Sequence, residues 1–304
     1  MLFFLQTHTV ENKTKIQEVT MNIKITSDSV CDLSPELLQK YNVQIFPLYV
    51  SLGDQNHLDG KTIKSDDIYD YYAQTKKLPK TGARSTFDYV EFFKQQTQDG
   101  SEIVHFCISE SMSSSYSNAL LAAKEVDGVY VVDSKNLSTG IGLLVLSACE
   151  QRDKGKSAKE IFDHVNKRAQ SVQASFIVDQ LDFLHKGGRC STLVYFATKA
   201  LSIKPCIEVR NGAMGNTRKF MGPYKSCLKK YLEYIKNTYT NPDTTRCFVT
   251  HTKMGAGLAE LAVKTVKSWG IFDEVLETDA GCTVTAHCGA NTIGLLFIND
   301  GGAQ

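Results

Sequence analysis

One junction constrains this chain more than any other. The apolar run Ile103-Val104-His105-Phe106-Cys107-Ile108 stops at Ser109-Glu110-Ser111-Met112-Ser113-Ser114-Ser115, and a helical pattern follows at once. Tyr116, Ala119, Leu120 and Ala123 recur at i, i+3, i+4 and i+7, the spacing of one helix face. Strand, turn and helix in that order aim free backbone N–H groups and hydroxyls at a single spot. Such a spot suits an oxyanion, whether phosphate, carboxylate or a developing charge. One helix cap uses one serine. This turn offers Ser109, Ser111, Ser113, Ser114 and Ser115, so it is read as an anion or carbonyl site.

The same alternation runs through the first half. Asn22 to Thr26 reads as a strand ending in Ser27-Asp28-Ser29, and Ser34-Pro35 opens a helix as cap and first residue. Val43 to Val50 reads as one further strand, and Asp66 to Thr75 as a helix. Lys77 to Ser85 reads as a loop, punctuated by Pro79 and Gly82. A helix begins at Ser85 or Thr86, Gly128 to Asp133 is a buried strand, and Leu137 to Cys149 is an apolar helix. Ser157 caps a helix from Ala158 to Ala169. Strands and helices alternating at this spacing imply βαβ units and a mostly parallel sheet. The loops after such strands gather at one edge, where Ser29, Thr81 and the serine turn can meet.

The second half differs. Ser175 to Val178 is a strand, and Leu181 to Arg189 is a short helix broken by Gly187 and Gly188. Pro205 to Val209, then Arg210-Asn211-Gly212, then Ala213 onward reads as a hairpin, because Asn-Gly is a strong turn signal. Helices over Lys225 to Lys236 and Leu258 to Trp269 alternate with strands at Arg246 to Thr250, Glu274 to Glu277 and Leu295 to Ile298. The expected fold is therefore two-lobed α/β. Residues 22–173 form an N-terminal lobe with a mostly parallel sheet and flanking helices. Residues 174–304 form a C-terminal lobe with a mixed or antiparallel sheet. Residues 1–21 are set apart as a disordered or mis-started extension. Met1-Leu2-Phe3-Phe4-Leu5 has no basic residue before it and is too short for a signal-peptide core.

Composition excludes several partners. Lys plus Arg is 34 and Asp plus Glu is 33, which leaves no electrostatic case for nucleic acid or an anionic membrane. No apolar run approaches a membrane span, so stable membrane insertion is not expected. The nine cysteines form no C-x-x-C pair and the seven histidines no H-x-x-x-H pair. Neither a disulfide framework nor a metal site is expected, and the compartment is read as reducing and cytoplasmic. Two phosphate-like motifs fail. Gly140-Ile141-Gly142 lies in a helix body, and Lys154-Gly155-Lys156-Ser157 lacks the upstream glycine of a P-loop.

Taken together, the chain resembles the DegV family of bacterial fatty acid-binding proteins from about residue 23 to residue 299. The resemblance rests on ordered signatures: Asp28-Ser29, Lys80-Thr81 through Ser85, the serine turn, Leu181 to Arg189, and Thr285-Ala286-His287-Cys288-Gly289 with Gly294. It implies two α/β lobes with a long-chain fatty acid in a tunnel between them. The family holds the carboxylate with the threonine of a K-T-S-Q-P-S loop and a serine of an L-S-G turn. Those positions fall on Thr81 and Ser113, with Ser114 where the family has glycine. Ser114 is read as the helix cap with its N–H at the ligand, Ser29 as facing the crevice, and His287 as a further head-group contact.

The resemblance implies a carrier, not an enzyme, with no cofactor beyond its lipid. It presents the acyl carboxylate to a separate fatty acid kinase, whose acyl phosphate product feeds phospholipid synthesis. Arg189 is read as a docking contact and Arg84 as a solvated loop charge. Met221 stands where the family has a basic residue, which removes a positive charge from the kinase-docking segment. The rival reading is an acyl hydrolase with Ser113 as nucleophile and His287 as base. It lacks a G-x-S-x-G elbow and an acidic residue beside His287. A nucleotide-binding protein ranks last, since no glycine fingerprint follows a strand.

Overall fold

The computed structural model describes residues 22–179, 181–188 and 203–302; the 1–21 extension and Arg189 lie outside the described residues. The chain begins with strand Ile23–Asp28 (β1), a 3-10 turn at Ser29–Cys31 and helix Pro35–Lys40 (α1). Ser34 caps α1 by accepting from the Leu37 N–H, with Pro35 in the first turn. The stretch 43–50, expected as one strand, is two: Val43–Phe46 (β2) and Tyr49–Leu52 (β3), in different sheets. Pro47 lies between them and has no N–H to give a ladder. Gln55–Leu58 (β4) folds back on β3. After helix Ser65–Thr75 (α2), the segment expected as a loop contributes strand Lys80–Gly82 (β5), antiparallel to β3, with Thr81 opposite Val50. Three residues between a proline and a glycine are too few to show a strand period.

Helix Thr86–Thr97 (α3) starts with a reciprocal cap between Ser85 and Asp88. Then come Glu102–Cys107 (β6), Ser115–Ala122 (α4), Val129–Asp133 (β7), Thr139–Asp153 (α5), Ala158–Ala169 (α6) and Val172–Val178 (β8). The second half runs Asp182–Lys186 (α7), Ile203–Arg210 (β9), Ala213–Met221 (β10), Tyr224–Thr238 (α8), Arg246–His251 (β11) and Leu258–Lys267 (α9). It closes with Glu274–Asp279 (β12), Cys282–Cys288 (α10) and Thr292–Ile298 (β13).

Three sheets result. The first is parallel throughout, in the order β2-β1-β6-β7. The second is mixed, in the order β10-β9-β8-β13-β11-β12, and only β11 and β12 pair in parallel. The third is the small antiparallel sheet β4-β3-β5. The β9–β10 hairpin turns at Asn211 and Gly212, which both take the positive φ that such a turn requires. His105 sits on β6 in the core, bonded to Thr26 Oγ1 at 2.8 Å, and burial pushes its imidazole down to about 3.

Helix α5 is the common centre. It is buried continuously from Thr139 to Cys149 and packs on β1 and β6 on one side and on β8, β11 and β13 on the other. A helix apolar all round belongs between two layers. The glycines read as a failed nucleotide motif serve this packing. A Cβ at Gly142 would stand 2.9 Å from the Cys31 carbonyl oxygen. Helices α3 and α4 cover the outer face of the parallel sheet, and α8 and α9 cover that of the mixed sheet.

Two acids stand where the layers meet. Asp28 accepts from the Val30 and Ile108 N–H groups, which joins the ends of β1 and β6. Asp32 accepts from Ser138 Oγ at 2.6 Å and from the Gly281 N–H at 3.0 Å. Burial pushes Asp28 up to about 7 and Asp32 up to about 8, against the lowering pull of these donors. The folded chain therefore holds protons that an unfolded carboxyl releases at about pH 4. The contribution of these two acids to stability is greatest below that value and is lost as pH rises to about 7 and about 8. The melting temperature should drop between about pH 6.5 and pH 8, and Asp32→Asn should reduce the drop, since Ser138 can turn to accept from the amide. Equal slopes in the two proteins would contradict this.

Candidate ligand site

Short structural ties bring the predicted residues together. Thr81 is fixed by the β3–β5 ladder. Ser113 lies in the turn after β6, and its N–H donates to the Ser109 carbonyl at 3.2 Å. Asn118 of α4 donates through Nδ2 to the Arg84 carbonyl at 2.7 Å, which draws the serine turn toward the Thr81 strand. Ser109 Oγ donates to the Gly212 carbonyl at 2.7 Å, which binds the same turn to the β9–β10 hairpin.

His287 arrives from the other lobe on α10, a helix without a residue-by-residue signal in the sequence. Its N-terminal end is gripped by acids of the first lobe. Asp59 accepts from the Cys282 N–H at 2.9 Å, the Thr283 N–H at 3.1 Å and Thr283 Oγ1 at 2.6 Å. Asp32 adds its bond to the Gly281 N–H. Carboxyl oxygens at this end satisfy orphan donors of the helix. The other end of α10 carries His287, whose Nε2 is hydrogen-bonded to Thr81 Oγ1 at 2.8 Å. Gly187, after α7, lies against the imidazole: a Cβ there would be 2.6 Å from His287 Nδ1.

Between the lobes lies a cavity of about 220 Å³, and Thr81, Ser113, Ser114 and His287 all line it. The remaining wall is mostly apolar, with Leu48, Ile108, Leu184 and Met214 among its residues. No lysine or arginine is among the described residues that line it. Cys288 also faces the cavity, and burial pushes its thiol up to about 12, so it acts as apolar wall. An anion here would meet hydroxyls and an imidazole among the described wall residues.

Several expectations need correction. Ser29 is not on the cavity wall; its hydroxyl donates to Asp59 Oδ2 at 3.1 Å and accepts from the Leu48 N–H. Ser114 occupies the cap position of α4 without a side-chain cap bond, and Ser113 Oγ instead accepts from the Ser115 N–H at 3.2 Å. Arg84 is not solvated. Its guanidinium lies 4.6 Å from the Phe46 ring centre and 4.5 Å from that of Tyr49, and it pairs with Asp88 at 3.2 Å. It also donates to the Pro47 carbonyl, which holds the bend between β2 and β3. Met221 ends β10 and is 58% exposed. Asp59 and Asp32 escaped the sequence reading. Asp59 precedes a glycine and looks like a turn residue, and its partners on α10 lie more than two hundred positions away.

Among the described residues, no group of three or more His, Cys, Asp or Glu could hold a metal ion, and no helix is long and apolar enough to cross a membrane. A family model described as "Uncharacterised protein, DegV family" matches residues 22–300. A DegV domain-containing protein of Clostridium acetobutylicum is 30% identical over 278 residues, covering 91% of this chain and 98% of its own length. A protein of Thermotoga maritima named as a fatty acid-binding protein is 29% identical over 281 residues, 90% of this chain and 96% of that protein. The crystal structure of a stearic acid-binding protein from Eubacterium ventriosum superposes with a TM-score of 0.78 at 29% identity, covering 91% and 98% of the two chains.

The contact between Gly187 and His287 yields a test. A methyl at Gly187 would also stand 2.9 Å from the Phe183 carbonyl oxygen, so neighbours must move. Gly187→Ala should destabilise the protein by about 1–3 kcal/mol in chemical denaturation. An unchanged midpoint would mean that α7 and His287 are not packed as described.

Proposed function

Because the chain belongs to the DegV family, we propose that it binds a long-chain fatty acid in a tunnel between its lobes. The observation that carries this reading is the meeting of Thr81, Ser113 and His287 at one cavity with an otherwise mostly apolar wall. The acyl chain supplies most of the affinity, at about 0.8 kcal/mol per buried methylene. Hydroxyl donors fix the carboxylate, and hydrogen bonds to a charged acceptor contribute about 1.5–3 kcal/mol each. Without a lysine or arginine among the described wall residues, the head group is held in place by hydrogen bonds.

The protein is a carrier in this reading. It presents the carboxylate to a separate fatty acid kinase in the cytoplasm, which forms the acyl phosphate. An exposed Met221 where the family has a basic residue leaves that docking segment less positive. The hydrolase alternative needs Ser113 activated by His287. Against it, Ser113 Oγ pairs with Ser115 Oγ at 3.0 Å, while His287 Nε2 pairs with Thr81. Nucleophile and base within hydrogen-bond reach are the mark of such sites.

Displacement of a fluorescent fatty acid tests the proposal. The double variant Thr81→Ala with Ser113→Ala should fold normally and lose about 2–4 kcal/mol of affinity for palmitate. Unchanged affinity would remove both residues from the head-group site. Turnover of a p-nitrophenyl ester that Ser113→Ala abolishes would replace the carrier by a hydrolase.

A further inference from the structure

The cavity at Thr81 and His287 is not the whole apolar space between the lobes. A second, smaller space of about 30 Å³ lies against the mixed sheet. The two share three wall residues: Leu137, Val284 and Cys288. Val284 and Cys288 are one turn apart on α10, and Leu137 stands just before α5. Leu137 and Cys288 are 8% and 6% exposed, so the partition is an interior one. Beyond it, Phe176 of β8 and Leu296 of β13 form the far wall.

Ser138, Ser175, Thr250, His251, Thr252 and Thr292 also border the inner space, yet their polar groups are already engaged, His251 with the Thr252 carbonyl and Glu277, and Thr252 Oγ1 with the Thr292 N–H. Ser138 Oγ donates to Asp32, and Ser175 Oγ is bonded to Tyr231 Oη at 2.9 Å. Thr250 Oγ1 is bonded to Thr139 Oγ1 at 2.6 Å and to Thr278 Oγ1 at 3.0 Å. Thr292 Oγ1 donates to the Cys288 carbonyl at 3.0 Å. What these side chains offer a guest is therefore mainly carbon. Polar residues that are satisfied elsewhere make an apolar wall.

We propose that Leu137, Val284 and Cys288 form a neck that sets which acyl chains this protein takes. The inference rests on the fatty-acid reading and specifies it. The head group and first methylenes occupy the outer cavity. Only a straight chain long enough to pass the neck gains the inner space, and its far end must be apolar. Chains with an ω-hydroxyl or a second carboxylate are disfavoured, because burying that group without a partner is unfavourable. Helix α10 thus sets both ends of the ligand, the head through His287 and the tail through Val284 and Cys288.

The test compares decanoate with palmitate by displacement titration. Each methylene buried past the neck raises affinity roughly fourfold in the wild type. Val284→Phe fills the neck. It should weaken palmitate binding by about tenfold or more while decanoate changes by less than about threefold. Equal loss for both acids, or loss for neither, overturns the neck. Val284→Ala, which removes atoms and disturbs folding less, should raise the affinity of a methyl-branched palmitate relative to palmitate itself. An unchanged ratio also overturns it. If the wild type binds neither acid, the fatty-acid reading fails with it. If it binds both and the two variants discriminate as the wild type does, the neck alone fails.

Discussion

Two acid side chains of one lobe hold the N-terminal end of a 7-residue helix in the other, and the rest of the site depends on that grip. Helix α10 is too short to be stable by itself. Asp59 gathers donors from Ser29, Cys282 and Thr283, and Asp32 takes the Gly281 N–H. A buried acid is tolerable when several donors surround it, and costly when they are lost. With the first turn anchored, the direction of the helix is set. Its last turn then delivers His287 to Thr81 across the lobe boundary.

The cavity follows from the same architecture. The stretch of α5 buried from Thr139 to Cys149 has the two large sheets packed on opposite sides of it. The lobes therefore share a core, and a cavity opens where the small β4-β3-β5 sheet, the serine turn and α10 converge. Among the described residues of that cavity the polar side chains are hydroxyls and one imidazole. In the proposed complex such a lining would fix a carboxylate by geometry and leave affinity to the apolar chain. The Cys288 thiol on this wall reinforces this, since burial raises it to about 12 and keeps it as a small hydrophobe.

Much of the fold was legible because its signals are local. Ser34, Ser85 and Ser157 cap the helices their spacing predicts, and Asn211-Gly212 turns the hairpin. The alternation of strands and helices foretold the parallel sheet, and the hairpin foretold antiparallel pairing in the second. What stayed hidden is non-local. Pro47 splits an apolar run between two sheets, and β5 has no period of its own. Helix α10 owes its place to acids hundreds of residues earlier. Within the site, the resemblance named Thr81, Ser113, Ser114 and His287, and the fold brings all of them to one cavity. Ser29 lies beside the site, where it supports Asp59. Arg84 looked like a loop charge because its aromatic partners, Phe46 and Tyr49, flank a bend that the sequence conceals.

The central claim is that one carboxylate sits against Thr81, Ser113 and His287 with its chain between the lobes. Carbon-13 NMR of the protein loaded with palmitate labelled at its carboxyl carbon tests it most directly. The account predicts a single bound carboxylate resonance, distinct from that of the free acid and shifted by Thr81→Ala. A resonance that stays at the free-acid position, or a bound one that Thr81→Ala and Ser113→Ala leave unmoved, would contradict it.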